Sequence, residues 1–381
     1  MMKNTKQLLI VANVDWIFIA HRMAIGKEAL NKGFQVAVLA KDTGRASEIQ
    51  EAGMQFIDLP ISRSSTHLIS ECKALYFMFT MYRKIRPSLV YQVTMKPVIY
   101  GTLISKMLKL KTVNGISGLG YNFTGDRRGL IQKIMILLMR YAFDKPDNHL
   151  VFENKDDLAE LKELKIVAAQ NTFQIVKGVG VDLHKYYPAK TIPKGILTVL
   201  MPTRLLWDKG VKEFVEASKL LECKYKGTVL FQICGMIDFG NKEAVDKDYL
   251  LKNCIPGFLE WIGFQSEMLP VYQKAAIVVL PSFREGMPTV LLEAAAVGLP
   301  IVTTEATGCR ECVEEGLNGY KVPVKAVSLL AKAIEKLINS PQDRNAMGKY
   351  SRQKAEDEFD QKEVVATHIA LFESIIEKET F

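Results

Sequence analysis

Short runs rich in Val, Ile and Leu alternate with longer amphipathic stretches along the chain. In the first half this pattern predicts strands at residues 8–14, 35–39, 55–58, 89–92 and 112–116, and helices at 22–32, 47–52 and 127–143. Alternation of the two periods is typical of βαβ units, whose strands are parallel. We therefore predict an α/β chain whose first domain is a doubly wound, Rossmann-like sheet.

A stretch punctuated by Gly and Pro at residues 177–195 separates this pattern from a second one. Further strands are predicted at 197–201, 229–234, 258–262, 277–280 and 300–304, helices at 210–221 and 290–296, and two or three more helices after residue 326. We predict an N-terminal domain of residues 1–172 plus 360–381 and a C-terminal domain of residues 173–359. Residues 177–182 form the expected hinge, and the last helix is expected to cross back to the first domain.

Composition restricts the class of protein. Hydrophobic residues make up 48% of the 381 residues and charged residues 24%, which excludes a disordered chain. No apolar run approaches the roughly 20 residues that span a bilayer, and no export signal is evident, so we expect a cytoplasmic protein with reduced thiols. Cys309 and Cys312 have C-x-x-C spacing but no second ligand pair, so we expect no metal site.

Positive charge is concentrated in the first half. Between Lys73 and Lys145 lie 13 basic residues and only two acidic ones, Asp126 and Asp144, interleaved with apolar stretches. The repeats and docking motifs of nucleic-acid binders are absent, so we expect no nucleic-acid partner. Anionic lipid headgroups fit better, and we expect an anionic membrane surface as a partner. A surface that only keeps the protein soluble is the alternative.

The turn after a predicted strand ending at Leu280 carries the most specific pattern. Gly286 allows the backbone to approach a ligand closely, and Pro288 suits the first turn of a helix, whose end favours a phosphate. Glu285 precedes this helix and Glu293 lies about two turns further on, so both can accept hydrogen bonds from hydroxyl groups. A sugar and a ribose are natural occupants, although Glu293 alone also fits a surface carboxylate.

A second loop brings cations to the same edge of the predicted sheet. Arg204 and Lys209 follow the strand predicted at residues 197–201, and Gly210 begins the next helix. The carboxyl ends of parallel strands share one edge, so this loop and Glu285 converge there. An isolated Arg/Lys pair is usually solvated, but two converging loops favour a nucleoside-diphosphate site.

Glu285 and Glu293, with seven residues between them, match the paired-glutamate motif of the retaining GT-B glycosyltransferases of family 4, which this chain resembles. Residues 178–182, 204–210, 281–286 and 307–320 match the family in the same order. The resemblance implies two Rossmann-like domains that face each other across a cleft. It also implies transfer from a UDP-sugar with retention of anomeric configuration, without a metal ion and without a cofactor.

The resemblance assigns roles to individual residues. Arg204 and Lys209 would hold the donor diphosphate and stabilise its departure, and Glu285 would position the transferred sugar. Glu293 would bind the ribose. The backbone amides of Gly286 and Met287, with Pro288 beside them, would surround the donor. The turn at Phe264 would lie against the base, although Phe264 could equally be a core aromatic residue.

The first domain resembles the acceptor side of members that extend lipid-linked oligosaccharides. This match rests on residues 16–22, on the Gly-rich segment 115–123, and on residues 207–214 of the second domain. Many family members have a His near the end of the strand at 112–115, where this chain has Asn114. No catalytic role based on that His can be transferred.

These observations predict a retaining glycosyltransferase. It would move a GalNAc/GlcNAc-type sugar or a hexose from a UDP-sugar to a polyprenyl-diphosphate-linked saccharide, at the inner face of the cytoplasmic membrane. Two alternatives remain open at this point. A UDP-sugar epimerase of GT-B-like fold would need acid and base residues that the sequence does not indicate, and a non-enzymatic sugar-binding module would not need the cations beside the two glutamates.

Overall fold

The computed structural model describes residues 6–61, 68–119, 130–190, 195–238 and 240–377. The chain divides into two compact units, one formed by Met1–Val179 with Glu363–Phe381 and the other by Gly180–Lys362. This division falls inside the predicted hinge at residues 177–182. Each unit has its own sheet and its own apolar clusters.

The first unit is built on seven parallel strands. They are β1 Gln7–Val14, β2 Gln35–Lys41, β3 Gln55–Asp58, β4 Leu89–Val93, β5 Thr112–Ile116, β6 Asn148–Phe152 and β7 Thr172–Ile175, in the spatial order β3-β2-β1-β4-β5-β6-β7. The helices are α1 Asp15–His21, α2 Met23–Asn31, α3 Ala46–Glu51, α4 Leu68–Ile85, α5 Met95–Leu108, α6 Leu130–Phe143 and α7 Lys155–Glu163. The strand order reverses between β1 and β4, as in doubly wound folds.

The last strand of this sheet moves the predicted domain boundary. A boundary between residues 172 and 173 cuts through the start of β7, which pairs with β6 from Thr172 to Ile175. Residues 173–179 therefore belong to the first unit, because strand pairing holds them there. At the other end, the second unit extends to Lys362 rather than to residue 359.

The second unit repeats the architecture with six parallel strands. They are β8 Leu197–Pro202, β9 Val229–Cys234, β10 Leu259–Trp261, β11 Ile277–Leu280, β12 Ile301–Thr304 and β13 Gly319–Val322, in the order β10-β9-β8-β11-β12-β13. The helices are α8 Val211–Tyr225, α9 Lys247–Asn253, α10 Leu269–Lys274, α11 Thr289–Ala296, α12 Val327–Asn339 and α13 Pro341–Glu358. The strand order reverses between β8 and β11, so the crevice for a ligand opens at their carboxyl ends.

The final helix, α14 at Gln361–Glu377, returns to the first unit. Its apolar side chains, including Phe372, lie in the same buried cluster as Leu8 and Tyr91 of the first sheet. The predicted crossover helix is thus part of the first core. Across the described residues, no helix is both long enough and apolar enough to cross a membrane.

Candidate functional site

The loops at the carboxyl ends of β8 and β11 pack tightly against each other. Gly210 has φ +77°, and a Cβ at this position would lie 2.2 Å from the carbonyl oxygen of Pro281. Only glycine accepts both this backbone conformation and this approach. The backbone of Asp208 also joins the two loops. Its carbonyl oxygen accepts hydrogen bonds from the Phe283 amide at 2.8 Å and from the Ser282 hydroxyl at 3.2 Å. The two loops predicted to converge therefore form one rim.

A Lys–Glu ion pair lies at the centre of this rim. Lys209 ends a 3-10 turn at Trp207–Lys209, and its Nζ lies 2.8 Å from Oε1 of Glu285. The side chains are only 9% and 17% exposed, so both charges are largely removed from water. The amide of Glu285 donates to the carbonyl of Thr307 at 3.0 Å, which fixes the loop that carries the carboxylate.

Arg204 is the more accessible cation of the rim. Its side chain is 49% exposed, and its Nη1 lies 3.7 Å from Oδ2 of Asp238. At this distance the two charges attract each other without forming a short hydrogen bond. The guanidinium can therefore turn toward an anionic ligand at little cost.

The carboxyl group of Asp208 lies beside these charges. Its Oδ1 is buried and has no hydrogen-bond partner among the described residues. Burial raises the pKa of Asp208, and the charge of Glu285 adds to this effect, whereas Lys209 and Arg204 oppose it. The rim thus contains a carboxyl group that is held in an unfavourable environment for its charge.

Glu293 has partners that differ from those of Glu285. It lies on α11, which begins directly after Pro288, and its Oε2 accepts a hydrogen bond from the Tyr272 hydroxyl at 2.8 Å. Burial raises the pKa of Glu293, while the hydroxyl groups of Tyr272 and Tyr186 counteract this by hydrogen bonding. The two motif glutamates therefore occupy two separate polar environments.

The remaining predicted donor-site residues lie along the same rim. Gly286, Met287 and Pro288 form the end of the loop before α11, and Met287 is buried, so its backbone is what it can offer to a ligand. Phe264 is 67% exposed, which excludes a place in the core. The neighbouring Gly263 carbonyl accepts from the Gly235 amide at 2.9 Å, which joins this turn to the end of β9.

In the first unit the structure joins the two segments predicted to serve the acceptor. Arg22 Nη2 donates to the Ser117 hydroxyl at 2.8 Å and lies 3.3 Å from Oε1 of Glu153. All atoms of this pair are almost fully buried, and burial raises the pKa of Glu153. Ser117 and Thr94 both line a cavity of 180 Å³. Residues 120–123 of the Gly-rich segment lie outside the described residues.

Asn114 is a structural residue in this unit. It is fully buried, its Nδ2 donates to Oδ1 of Asn148 at 2.7 Å, and its Oδ1 lies 3.1 Å from the hydroxyl of Thr102. These contacts satisfy the amide inside the sheet. Asn114 is therefore not available to a ligand.

The C-x-x-C pair is buried beneath the rim. Cys309 and Cys312 are both fully buried, and burial raises the pKa of Cys309 to about 12. Both are free thiols. Within the described ranges, no group of three or more His, Cys, Asp or Glu side chains is arranged to hold a metal ion.

Sequence reasoning did not identify four residues that support the site. Asp208 and Thr307 lie inside the matched segments, so their position was visible but their contacts were not. Asp238 follows β9, and Tyr272 lies on α10, where no local pattern distinguishes a ligand-site residue from a core residue. Their roles depend on tertiary packing.

Two protein-family models match this chain. The model for group 1 glycosyl transferases matches residues 185–354, and a glycosyl transferase 4-like model matches residues 7–153. An N,N'-diacetylbacillosaminyl-diphospho-undecaprenol alpha-1,3-N-acetylgalactosaminyltransferase from Campylobacter jejuni is 25% identical over 93% of this chain and 95% of its own. A UDP-Gal:alpha-D-GlcNAc-diphosphoundecaprenol alpha-1,3-galactosyltransferase from Escherichia coli is 23% identical, covering 94% and 95%.

Solved structures show the same fold. Sucrose-phosphate synthase from Thermosynechococcus elongatus superimposes with a TM-score of 0.82 at 15% identity, covering 98% of this chain and all of that one. HepE from Anabaena, in complex with UDP and glucose, gives a TM-score of 0.79 at 16% identity, covering 97% and 100%. The predicted GT-B fold of two Rossmann-like domains is confirmed. Both matched models describe glycosyl transferases and together they account for most of the sequence, so this chain is a glycosyltransferase.

Proposed function

We propose that this glycosyltransferase moves a sugar from a UDP-linked donor to a saccharide carried on a polyprenyl diphosphate, with retention of anomeric configuration. The observation that carries the proposal is the buried pair of Lys209 and Glu285 beside Arg204. The relatives from C. jejuni and E. coli, whose printed names specify diphospho-undecaprenol acceptors, support the acceptor class. HepE, whose structure contains UDP and glucose, supports the donor class.

In this proposal the two cations stabilise the leaving diphosphate. An ammonium has three donors, so Lys209 can keep its bond to Glu285 and still bind a phosphate oxygen. Arg204 adds a guanidinium that fits two oxygens at once. Both interactions strengthen as negative charge develops on the departing UDP, which lowers the barrier rather than only improving binding. The start of α11 contributes its free amides to the same charge.

Glu285 and Glu293 would bind different hydroxyl groups of the donor. Glu285 lies against Lys209 and would accept from a hydroxyl of the transferred sugar, which places the anomeric carbon close to the diphosphate. Glu293 lies further along α11 and would accept from the ribose. The resemblance to the retaining family implies attack from the leaving-group face of the donor, in which neither glutamate would act as a covalent nucleophile. Gly286, Met287 and the exposed ring of Phe264 would complete the donor site.

We also propose that the first unit binds an anionic membrane surface. Helix α6 exposes Ile134, Leu137, Leu138 and Tyr141, whose side chains are between 37% and 66% exposed. Their spacing of three, four and seven positions puts them on one face of the helix. Lys106 of the adjacent α5 places its Nζ 4.1 Å from the centre of the Tyr141 ring. An apolar stripe next to lysine is typical of helices that lie in a membrane interface.

Transfer of radiolabel tests the proposed reaction. The purified protein is incubated with labelled UDP-sugars and extracted polyprenyl-diphosphate-linked saccharides, with and without EDTA, and counts in the organic phase are recorded. We expect label in the lipid fraction, unaffected by EDTA and lost in Glu285→Ala. Glu216→Ala, an exposed carboxylate on α8, is the matched control and should transfer normally.

Other outcomes of this assay are informative. A UDP-sugar that changes configuration in solution without reaching the lipid would favour an epimerase. Transfer from GDP- or dTDP-sugars alone would contradict the assignment of UDP. Binding of a UDP-sugar with neither reaction, across the acceptor panel, would contradict the proposed acceptor class.

A further inference from the structure

A large cavity lies at the end of the second sheet opposite to the donor rim. It has a volume of 750 Å³ and is lined by residues at the amino ends of β8 and β12, including Thr198 and Pro300, and by one face of α13. The donor rim is formed by loops at the carboxyl ends of the same strands. This cavity is therefore separate from the proposed donor site, and its volume is typical of sites for small molecules.

The cavity is cationic. Among the described residues that line it are Lys274, Arg344, Lys349 and Arg352, and none of these described lining residues is Asp or Glu. Arg352 pairs with Glu356 on its own helix at 2.6 Å. Within the described part of the chain, the other three cations have no carboxylate partner at ion-pair distance. The cavity thus carries positive charge that the protein itself does not neutralise.

Arg344 shows that this charge is held in place. Its Nη1 donates to the carbonyl groups of Leu337 and Ile338 at the end of α12, which fixes the guanidinium at the cavity wall. The side chain is half-buried, and burial lowers the pKa of Arg344. A partly desolvated cation without a carboxylate partner gains from any anion that reaches it.

The remaining walls of the cavity consist of apolar side chains and backbone atoms. Ile196, Leu197, Ala275, Ala276, Val297 and Leu299 contribute apolar surface, and Gly298 and Gly348 lie close together on one side, where a Cβ on Gly348 would be 2.3 Å from the Gly298 carbonyl oxygen. Arg352 Nη1 donates to the carbonyl of Ala296, the last residue of α11. The helix that carries Glu293 on the donor side therefore ends at this cavity.

We propose that this cavity binds a small phosphorylated metabolite, with its phosphate against Arg344, Lys349 and Lys274 and its less polar part against the apolar wall. A phosphate matches the charge that the lining leaves unneutralised, and the apolar wall distinguishes this site from a simple surface cluster of lysines. The site is additional to the sugar donor and acceptor. It does not depend on the identity of either.

Calorimetric titration of the full chain with inorganic pyrophosphate tests the proposal. The double variant Lys274→Glu/Lys349→Glu leaves the hydrogen bonds of Arg344 in place, so it should fold. Lys247→Glu/Lys332→Glu, two exposed lysines outside the cavity, is the control of equal charge change. Arg204→Ala removes a cation from the donor rim, so a loss of affinity in this variant identifies pyrophosphate that binds at the rim.

We expect two classes of pyrophosphate site in the wild type. The double variant at the cavity should weaken one class at least tenfold, which corresponds to about 1.4 kcal/mol, and leave UDP binding unchanged. Arg204→Ala should weaken the other class. The proposal would be overturned if the wild type had a single class of pyrophosphate site that is lost in Arg204→Ala and unchanged in the cavity variant. It would also be overturned if the cavity variant and its control lost pyrophosphate affinity equally. Neither result bears on sugar transfer.

Discussion

The pair of Lys209 and Glu285 shows how the site is prepared for its ligand. Burying an isolated ammonium is costly, so an empty site needs a carboxylate beside the lysine. Glu285 supplies it at 2.8 Å, while the amide of Glu285 is held by Thr307. In the proposed donor complex, Lys209 would not have to move far to reach a diphosphate, because both partners of the ion pair lie on the same rim. The ion pair therefore keeps the cation in position before the donor binds.

Sequence reasoning identified the groups of this site better than their contacts. Arg204, Lys209 and Glu285 were predicted to converge because parallel strands end at one edge of a sheet. The hydrogen bond between Glu293 and Tyr272 could not be predicted, since α10 and α11 meet only through tertiary packing. The same reason explains the wrong alternative for Phe264, whose exposure depends on what the fold places over the turn.

Tyr272 is predicted to position Glu293. In Tyr272→Phe the carboxylate loses a hydrogen bond from a buried hydroxyl, which is worth about 1.5–3 kcal/mol when the acceptor is charged. We expect the KM for the UDP-sugar to rise roughly tenfold with little change in kcat, because the ribose is held equally in the ground and transition states. Tyr82→Phe is the control, since its buried hydroxyl has no partner among the described residues. A fall in kcat at constant KM would contradict this role.

Asp208 is predicted to lower stability at neutral pH. Burial raises its pKa above the ordinary value of 3.8, so the folded state disfavours the carboxylate and loses stability as the pH rises through the raised pKa. Asp208→Asn removes the charge and should be more stable than the wild type at pH 7. The difference in stability between the variant and the wild type should vanish below pH 3.8, where Asp208 is protonated in both the folded and the unfolded state. Urea unfolding at a series of pH values measures it, and a variant that is less stable at pH 7 would count against this explanation.

At the scale of elements, periodicity predicted the strands well where they are buried on both faces. β1, β2 and β11 were found close to their predicted bounds because their runs of apolar residues are distinctive. The pattern did not predict β6 or β13, whose short sequences, Asn-His-Leu-Val-Phe and Gly-Tyr-Lys-Val, mix polar residues with few apolar ones. The helix predicted at residues 22–32 is preceded by a separate helix, α1, which also went unpredicted.

The exposed face of α6 is predicted to bind membranes. In Leu137→Asp/Tyr141→Asp the apolar stripe is interrupted by two negative charges, which anionic headgroups repel. We expect co-sedimentation with vesicles of phosphatidylglycerol and phosphatidylethanolamine to fall at least fivefold. This corresponds to a loss of roughly 1 kcal/mol or more in binding free energy, which is the contribution of about one charge near an anionic surface. Leu220→Asp, on an equally exposed position of α8 in the second unit, should sediment like the wild type. Equal losses in both variants would contradict the assignment of this face.

The attachment of α14 to the first core is predicted to weaken in acid. His368 is buried, its Nε2 lies 3.2 Å from the Tyr91 hydroxyl, and burial lowers the pKa of His368 from 6.5 to about 4. The unfolded state binds the proton of His368 more tightly than the folded state does. The free energy of unfolding is therefore highest above pH 6.5 and falls by about 3 kcal/mol as the pH drops toward 4. His368→Phe should lose less stability over this range in urea unfolding. Parallel losses in variant and wild type would show that other groups cause the acid sensitivity.

At the scale of the whole molecule, the chain forms two similar parallel sheets, for which we propose different functions. Length and the repeated alternation of strands and helices predicted two domains, and the last helix packs in the core of the first unit. The exact boundary was not predictable, because β7 is a short and mostly exposed edge strand, and only its pairing with β6 places it in the first unit. The family match, by contrast, was visible in the sequence, since the motifs are local.

We propose that the second unit binds the diphosphate of a UDP-linked donor through Lys209. Calorimetric titration of UDP into the wild type, Lys209→Ala and the exposed control Lys212→Ala tests it most directly. Loss of a charge-assisted contact should weaken the Kd for UDP by roughly 10- to 100-fold in Lys209→Ala and leave Lys212→Ala unchanged. If Lys209→Ala is folded and binds UDP with the affinity of the wild type, the proposed donor site is wrong.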